Sequence, residues 1–260
     1  STTTATATQY YGYTGTIINT NFTVPTAVTS STGGASAENY VGVATAVNSV
    51  TVVTPTTANT KFYAVYTESL TFYYYNGTAH TSTTLTRRML CDGTDYKNSL
   101  SATVPTPASY DGSTFTSWQY QANPDNSNTR EPLATGVNTL YAKYTKSITA
   151  TFNYYDGSKA TTATASANRY YVSKEGGINT TNNTLTVPTA VKENRTISSV
   201  TYTYRGVSTS STANATVATP TTANTAFYAS YTYTVNVTFN GNSATSGTAP
   251  SALSGTAYMN

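Results

Sequence analysis

Three stretches of the chain repeat one pattern of constant and variable positions that reads with a period of two: "FYAVYT" from Phe62, "LYAKYT" from Leu140 and "FYASYT" from Phe227. In each, the first residue is large and apolar, the third is Ala (Ala64, Ala142, Ala229) and the fourth varies as Val65, Lys143 and Ser230. A period of two predicts a β-strand, and side chains two apart share a face. The constant positions Phe62, Ala64, Leu140, Ala142, Phe227 and Ala229 are therefore expected in the core, with the variable fourth position turned outward.

Directly after each stretch comes a second β-branched and aromatic run that ends in Asn-Gly or Asp-Gly: "SLTFYYYNG", "SITATFNYYDG" and "TVNVTFNG". Asn76–Gly77, Asp156–Gly157 and Asn240–Gly241 suit the two positive-φ positions of a type I′ hairpin turn. Phe72, Phe152 and Phe239, at matching places in these opening strands, are expected in the same core as the closing-strand residues. A further anchor, Val-Pro-Thr, places Pro25, Pro105 and Pro188 at 37, 35 and 39 residues before Phe62, Leu140 and Phe227. Between the two anchors lies a central strand: "AENYVGVATA", "GSTFTSWQYQ" and "VTYTYRGVST". It carries Trp118, the only tryptophan, which is expected to be a core residue.

Anchors spaced 78 and 87 residues apart indicate small domains in tandem rather than a short-repeat solenoid. The expected organisation is 1–66, a module lacking its first strand; 67–145 and 146–232, complete modules; and 233–260, the start of a further module or a donated strand. No stretch reads as a helix, so the expected class is all-β.

Composition agrees with a neutral, folded sheet protein. Charged residues make up only 9% of the 260 and Tyr is present in 24 copies; Thr and Tyr both favour strands. A net charge of +3, with Arg87–Arg88 the only adjacent basic pair, argues against nucleic acid as a partner. No apolar run is long enough for a membrane-spanning helix, and the start lacks a signal peptide's basic and apolar regions, so a mature chain or an excised fragment is expected.

Candidate chemistry is sparse, and neither a cofactor nor a metal is expected. One histidine, His80, and one cysteine, Cys91, form a conceivable nucleophile and base, but neither recurs in the other repeats. A solvent-facing loop is the expected place for His80. Asp92, Asp95 and Asp111 are too scattered for a calcium cage. The Gly33–Gly34 and Gly176–Gly177 pairs lack the Lys of a phosphate loop. Asn-X-Ser/Thr sequons at Asn21, Asn76, Asn179, Asn182, Asn194, Asn214 and Asn236 are expected by chance in so Thr-rich a chain. Lys61, Lys143 and Lys146 lie on or near closing strands, where a Lys–Asn cross-link is conceivable. Tyr73 and Tyr75, opposite Phe72 and Tyr74, form a face able to stack on sugars or on another sheet.

The order "LTFYYYNG", "VPTPASYDGSTFTSWQYQ", "PLATGVNTLYAKY" resembles the Listeria–Bacteroides repeat, found as B-repeats in internalins and other bacterial surface proteins. The family's usual Gly is Ser117 here, and the first and third copies have Gly42 and Gly206 in place of a Trp neighbourhood. The resemblance implies small β-grasp-like or Ig-like modules in an elongated array, exposed at a bacterial cell surface. It also implies a non-enzymatic role as stalk or fibre segment, with neighbouring modules or like subunits as head-to-tail partners. Two alternatives accompany this expectation. One is a filament subunit joined by donation of strand 233–241; the other is an adhesin module that binds a host or cell-surface glycan or protein.

Overall fold

The structure, a computed structural model, describes residues 3–26, 39–47, 49–91, 96–123, 129–130, 137–240, 247–248 and 251–259. Strands dominate, in mixed parallel and antiparallel sheets, and a four-residue helix, α1 (Thr189–Lys192), is the one helix longer than a single residue among the described residues. The chain forms two compact units: Ser1–Tyr144 with Tyr171–Asn179, and Thr145–Tyr170 with Thr180–Asn260.

The first unit contains β1 (Tyr10–Tyr11), β2 (Ile17–Ile18), β3 (Asn39–Ala44), β4 (Tyr63–Tyr75), β5 (His80–Cys91), β6 (Tyr96–Leu100) and β7 (Thr114–Gln119), together with the start of β8 (Thr139–Tyr155). Its sheet runs β7–β8–β4–β5–β6, and β3 pairs with the first residues of β4. The β4–β8 pairing is parallel, with Phe72 opposite Leu140. Leu70, Phe72, Leu85, Trp118, Leu140, Ala142, Tyr144 and Tyr171 make the core. Trp118 meets Phe72 edge to face, with ring centroids 5.0 Å apart.

In the second unit the remainder of β8 is followed by β9 (Ala160–Lys174) as far as Tyr170, the last residues of β10 (Gly177–Asn182), α1, β11 (Arg195–Ile197), β12 (Val200–Ser208), β13 (Ala226–Val237) and β14 (Leu253–Met259). The order is β9–β8–β13–β12–β11, with β14 added to β13. Here too the pairing between opening and closing strands is parallel, Phe152 opposite Phe227. Their rings stack at 5.1 Å and 19°. Ala150, Phe152, Leu185, Val191, Val207, Phe227, Ala229 and Tyr231 form this core.

The repeated Pro-Thr-Thr-Ala-Asn-Thr phrases tie each closing strand to its upstream proline anchor. Phe22 N–H donates to Pro55 O (2.8 Å) and Leu185 N–H donates to Pro220 O (2.9 Å). Thr57 and Thr222 N–H donate in turn to Thr20 and Asn183 O. Two copies of one phrase thus make the same pair of backbone bonds. The closing strand of each copy then continues without a break into the next opening strand, because β4, β8 and β13 run straight through positions 66/67, 145/146 and 232/233.

Several expectations need correction. The variable fourth position does not face solvent: Val65, Lys143 and Ser230 are all buried, while Phe62 and Ala64 are only half-buried. Chain returning from the central strand covers that second face. Val50 and Val52 pack against Ala44 and Val65, and Ser230 reaches Ala213 O at 3.5 Å. Phe62 instead packs edge to face on Phe22 (5.9 Å).

Phe239 is 44% exposed, whereas its counterparts Phe72 and Phe152 are fully buried against a parallel closing strand. The hairpin turns are also displaced by one residue from the expected type I′ geometry. Asn76 N–H donates to Ala79 O and Asp156 N–H to Lys159 O, so Gly77–Thr78 and Gly157–Ser158 are the central pairs. Only the glycines have positive φ, +100° and +101°, as in a type II′ turn. Asn76 and Asp156 act through their side chains. Each Oδ1 accepts the N–H groups two and three residues on, at 2.8–2.9 Å. Asn240 precedes a position, Gly241, that lies outside the described residues.

The central strands β3 and β12 share a bulge after Tyr40 and Tyr204, at Gly42 and Gly206, both with φ of +151°. A Cβ at Gly206 would stand 2.9 Å from Val217 Cγ1, and one at Gly42 2.3 Å from Val52 Cγ1. Glycine is needed there for both conformation and space.

Candidate functional site

A group of titratable and hydroxyl side chains lies in the first unit, around His80. Residue Tyr75 ends β4 and His80 begins β5, so the tight turn sets their rings side by side, 5.1 Å apart. Tyr110 packs on both, 5.3 Å from Tyr75 and 4.8 Å from His80. Tyr110 stands on a turn in which Asp111 and Gly112 have φ of +48° and +67°. Ser113 N–H closes this turn on Tyr110 O (2.8 Å). Asp tolerates the left-handed region better than most residues.

Into this cluster comes the tip of the β9–β10 hairpin, Tyr171–Asn179, which belongs to the first unit. Tyr171 packs edge to face on Tyr110 (5.5 Å) and donates its hydroxyl to Asp111 Oδ2 (2.8 Å). The Ser173 hydroxyl lies 3.2 Å from His80 Nδ1 and 3.5 Å from the Tyr144 hydroxyl, which in turn accepts Tyr75 N–H at 2.7 Å. Asn179 Nδ2 donates to Ala122 O (2.6 Å). Burial lowers the His80 pKa, so the neutral ring is favoured, and it raises that of Tyr144.

Ser173 beside His80 has the residue types of a nucleophile and base, but the geometry is that of a tie. Ser173 is fully buried, and the Asp111 carboxylate accepts the Tyr171 hydroxyl. His80 Nε2 is buried without a hydrogen-bond partner, so nothing orients the ring through its second nitrogen. The chemistry available is packing and hydrogen bonding of a hairpin tip to a sheet.

His80 is therefore a half-buried strand residue, not part of a solvent-facing loop. Cys91 ends the same strand, about 35 Å away at roughly 3.3 Å per residue, so β5 does not bring the two together. Asp92, Asp95 and Gly33–Gly34 lie outside the described residues. Among the described residues no three His, Cys, Asp or Glu side chains are grouped as metal ligands. Glu175–Gly176 form the β9–β10 turn, with Gly176 at φ +65°, and Gly177 opens β10.

Tyr73 stacks on Tyr141 across the parallel pair (5.3 Å, 9°), and Tyr75 is taken up by the His80 cluster, so the two do not make one open platform. Three sequon asparagines are engaged, Asn76 and Asn179 as above and Asn194 accepting Tyr204 N–H at 3.0 Å. Lys61 lies over the Tyr63 ring at 4.9 Å. In the second unit a shallow groove of about 530 Å³ runs over β12, β13 and β14, lined by Thr201, Thr203, Thr232, Tyr233, Thr234 and Thr256 among others.

Sequence reasoning passed over Tyr171, Ser173 and Tyr144, and also the ion pair that joins Glu68 to Arg87 in the first unit. The usable signal was a second repeat: "TATATQYY" (Thr4–Tyr11) and "TASANRYY" (Thr164–Tyr171) differ only by Thr/Ser, Thr/Asn and Gln/Arg exchanges. Comparison of the chain with protein-family models gives no match, and comparisons with curated proteins and with solved structures give none either.

Proposed function

We propose that this chain is a non-enzymatic structural repeat region of an extracellular surface protein, serving as stalk or fibre segment, with β-grasp-like modules in an elongated array. One observation carries the reading. The same order, second hairpin strand, opening strand, closing strand, central strand, occurs twice with the same parallel register, Phe72 on Leu140 and Phe152 on Phe227. A hairpin whose first strand lies parallel to the closing strand is the β-grasp arrangement, with a loop or α1 in place of a long helix. Because each closing strand is continuous with the next opening strand, no flexible linker separates successive copies. The resemblance to Listeria–Bacteroides repeats supports a bacterial cell-surface location. Small-angle scattering tests the proposal: a compact globule of 260 residues has a radius of gyration of about 18 Å. An array gives a clearly larger value, and one near 18 Å at low concentration overturns it.

A second reading, a filament subunit joined by donation of strand 233–241, is favoured by the exposure of Phe239. Its position in the repeat is one that a parallel closing strand buries in the other two copies. Filaments of the purified chain in electron micrographs support it, and a monomer persisting at high concentration overturns it.

A further inference from the structure

Residues Thr4–Tyr11 repeat Thr164–Tyr171 at a constant offset, yet the two segments have different surroundings. In the second unit Thr164–Tyr170 is the later part of strand β9, where Ala165 and Ala167 pack on the core around Phe152. The next residue, Tyr171, is 4% exposed in the first-unit core. By contrast Thr3–Gln9 belongs to no strand, Ala5 and Ala7 are exposed, and Tyr10 and Tyr11 are 56% and 70% exposed. Beside them Ile17 and Ile18, on the paired strand β2, are exposed as well. An alternating segment with one small apolar face, held at its backbone by Thr20 Oγ1 donating to Thr8 O and by the two-residue pairing of Tyr10–Tyr11 with β2, is a template for strand addition.

The opening strand that would suit it is the second half of β13. It is the counterpart of the β8 segment that β9 covers, and there Thr149 Oγ1 lies 2.8 Å from Ser166 Oγ across the pair. Carrying both residues over by the repeat offsets sets Thr6 opposite Asn236. That place is now held by Ser254 of β14. The occupant is a poor match to the site. Leu253 and Gly255 sit opposite Val237 and Val235, Leu253 is 61% exposed, and most of β14 faces solvent. In the same register Ala5 and Ala7 take these two positions, flanked by β-branched threonines that favour a strand.

We propose that Thr4–Tyr11 of one copy of this chain adds antiparallel to β13 of a second copy, replacing β14. The inference rests on the filament reading and names its acceptor. Because the surface that donates differs from the surface that accepts, the contact is heterologous and propagates head to tail. The test uses the full 260-residue chain carrying Cys91→Ser, with two engineered pairs. Thr6→Cys with Asn236→Cys is expected to give a ladder of intermolecular disulfides, at least tenfold faster than Tyr13→Cys with Asn236→Cys. Asn236→Cys with Ser254→Cys locks β14 in place, and is expected to hold the chain as a monomer in sedimentation until the disulfide is reduced. Assembly that survives the lock, or a Thr6–Asn236 bridge formed within one chain, overturns the proposal while leaving the filament reading standing. A chain that remains monomeric with β14 unlocked overturns both.

Discussion

Arg87 offers the sharpest test of how the first unit is held together. Its guanidinium is fully buried, pairs with Glu68 directly across the β4–β5 ladder and donates to Val137 O at 3.2 Å. Glu68 is buried as well, so neither charge has bulk water to fall back on. Arg87→Met keeps most of the volume and removes the charge. It leaves a buried carboxylate unpaired, which costs about 3–5 kcal/mol, and takes a donor from Val137 O, worth about 1 kcal/mol. Trp118 lies in the core of the same unit, so its fluorescence reports this unit's unfolding. With a urea m-value near 2 kcal/mol/M, a loss of about 4 kcal/mol moves the midpoint by about 2 M. Adding Glu68→Leu removes the orphaned carboxylate and is expected to recover most of that shift, since apolar replacements of a buried pair are often neutral or better. A single variant that moves the midpoint by less than about 0.5 M, or a double variant as unstable as the single one, refutes the reasoning.

Gly206→Ala is expected to destabilise the second unit by about 1–3 kcal/mol, because the bulge demands positive φ and Val217 fills the space for a Cβ; a neutral effect in calorimetry counts against the bulge. Phe152→Ala, which removes one half of a stacked buried pair, is expected to cost about 3–5 kcal/mol in the same unit by circular dichroism melting. His80 supplies a pH dependence with a definite sign. Burial among Tyr75, Tyr110 and Ser173 lowers its pKa below the unfolded value of about 6.5, so the unfolded chain binds the proton first. First-unit stability is therefore complete above about pH 6.5 and falls as the pH drops below it. His80→Phe keeps the ring packing and should flatten that part of the profile. Asp156 accepts three hydrogen bonds in its turn, from the Ser158 hydroxyl and the Ser158 and Lys159 amides, and NMR titration should place its pKa at about 2.

The strands and two of the turns are legible because a strand records its faces every second residue and a hairpin turn records its glycine. "FYAVYT", "LYAKYT" and "FYASYT" mark three strands, and Asn76–Gly77 and Asp156–Gly157 mark two turns to within one residue. What the period of two cannot record is a second covering layer. Val65 and Ser230 meet chain returning from the central strand and Lys143 is buried as well, so variation between copies does not mean exposure. The His80 cluster was hidden for another reason. It draws on four separated stretches, Tyr75–His80, Tyr110–Asp111, Tyr144 and Tyr171–Ser173, and no short-range pattern links them.

The same cluster explains why repetition is a better guide here than any one motif. A hairpin tip that ties itself to a sheet through Tyr171, Ser173 and Asn179 needs a receiving surface built of Tyr110, Asp111 and His80, and those receiving residues occur once, in the copy that is capped. The tip itself is written twice, as "QYY" and "RYY", with only one of the two buried. Burial of two aromatic side chains of this size is worth about 1.5–3 kcal/mol each. Exposing Tyr10 and Tyr11 in a chain with so few charges thus forgoes stability that the sequence is visibly equipped to gain. The exposed copy, rather than the well-packed one, is therefore the one from which the strand addition proposed above starts.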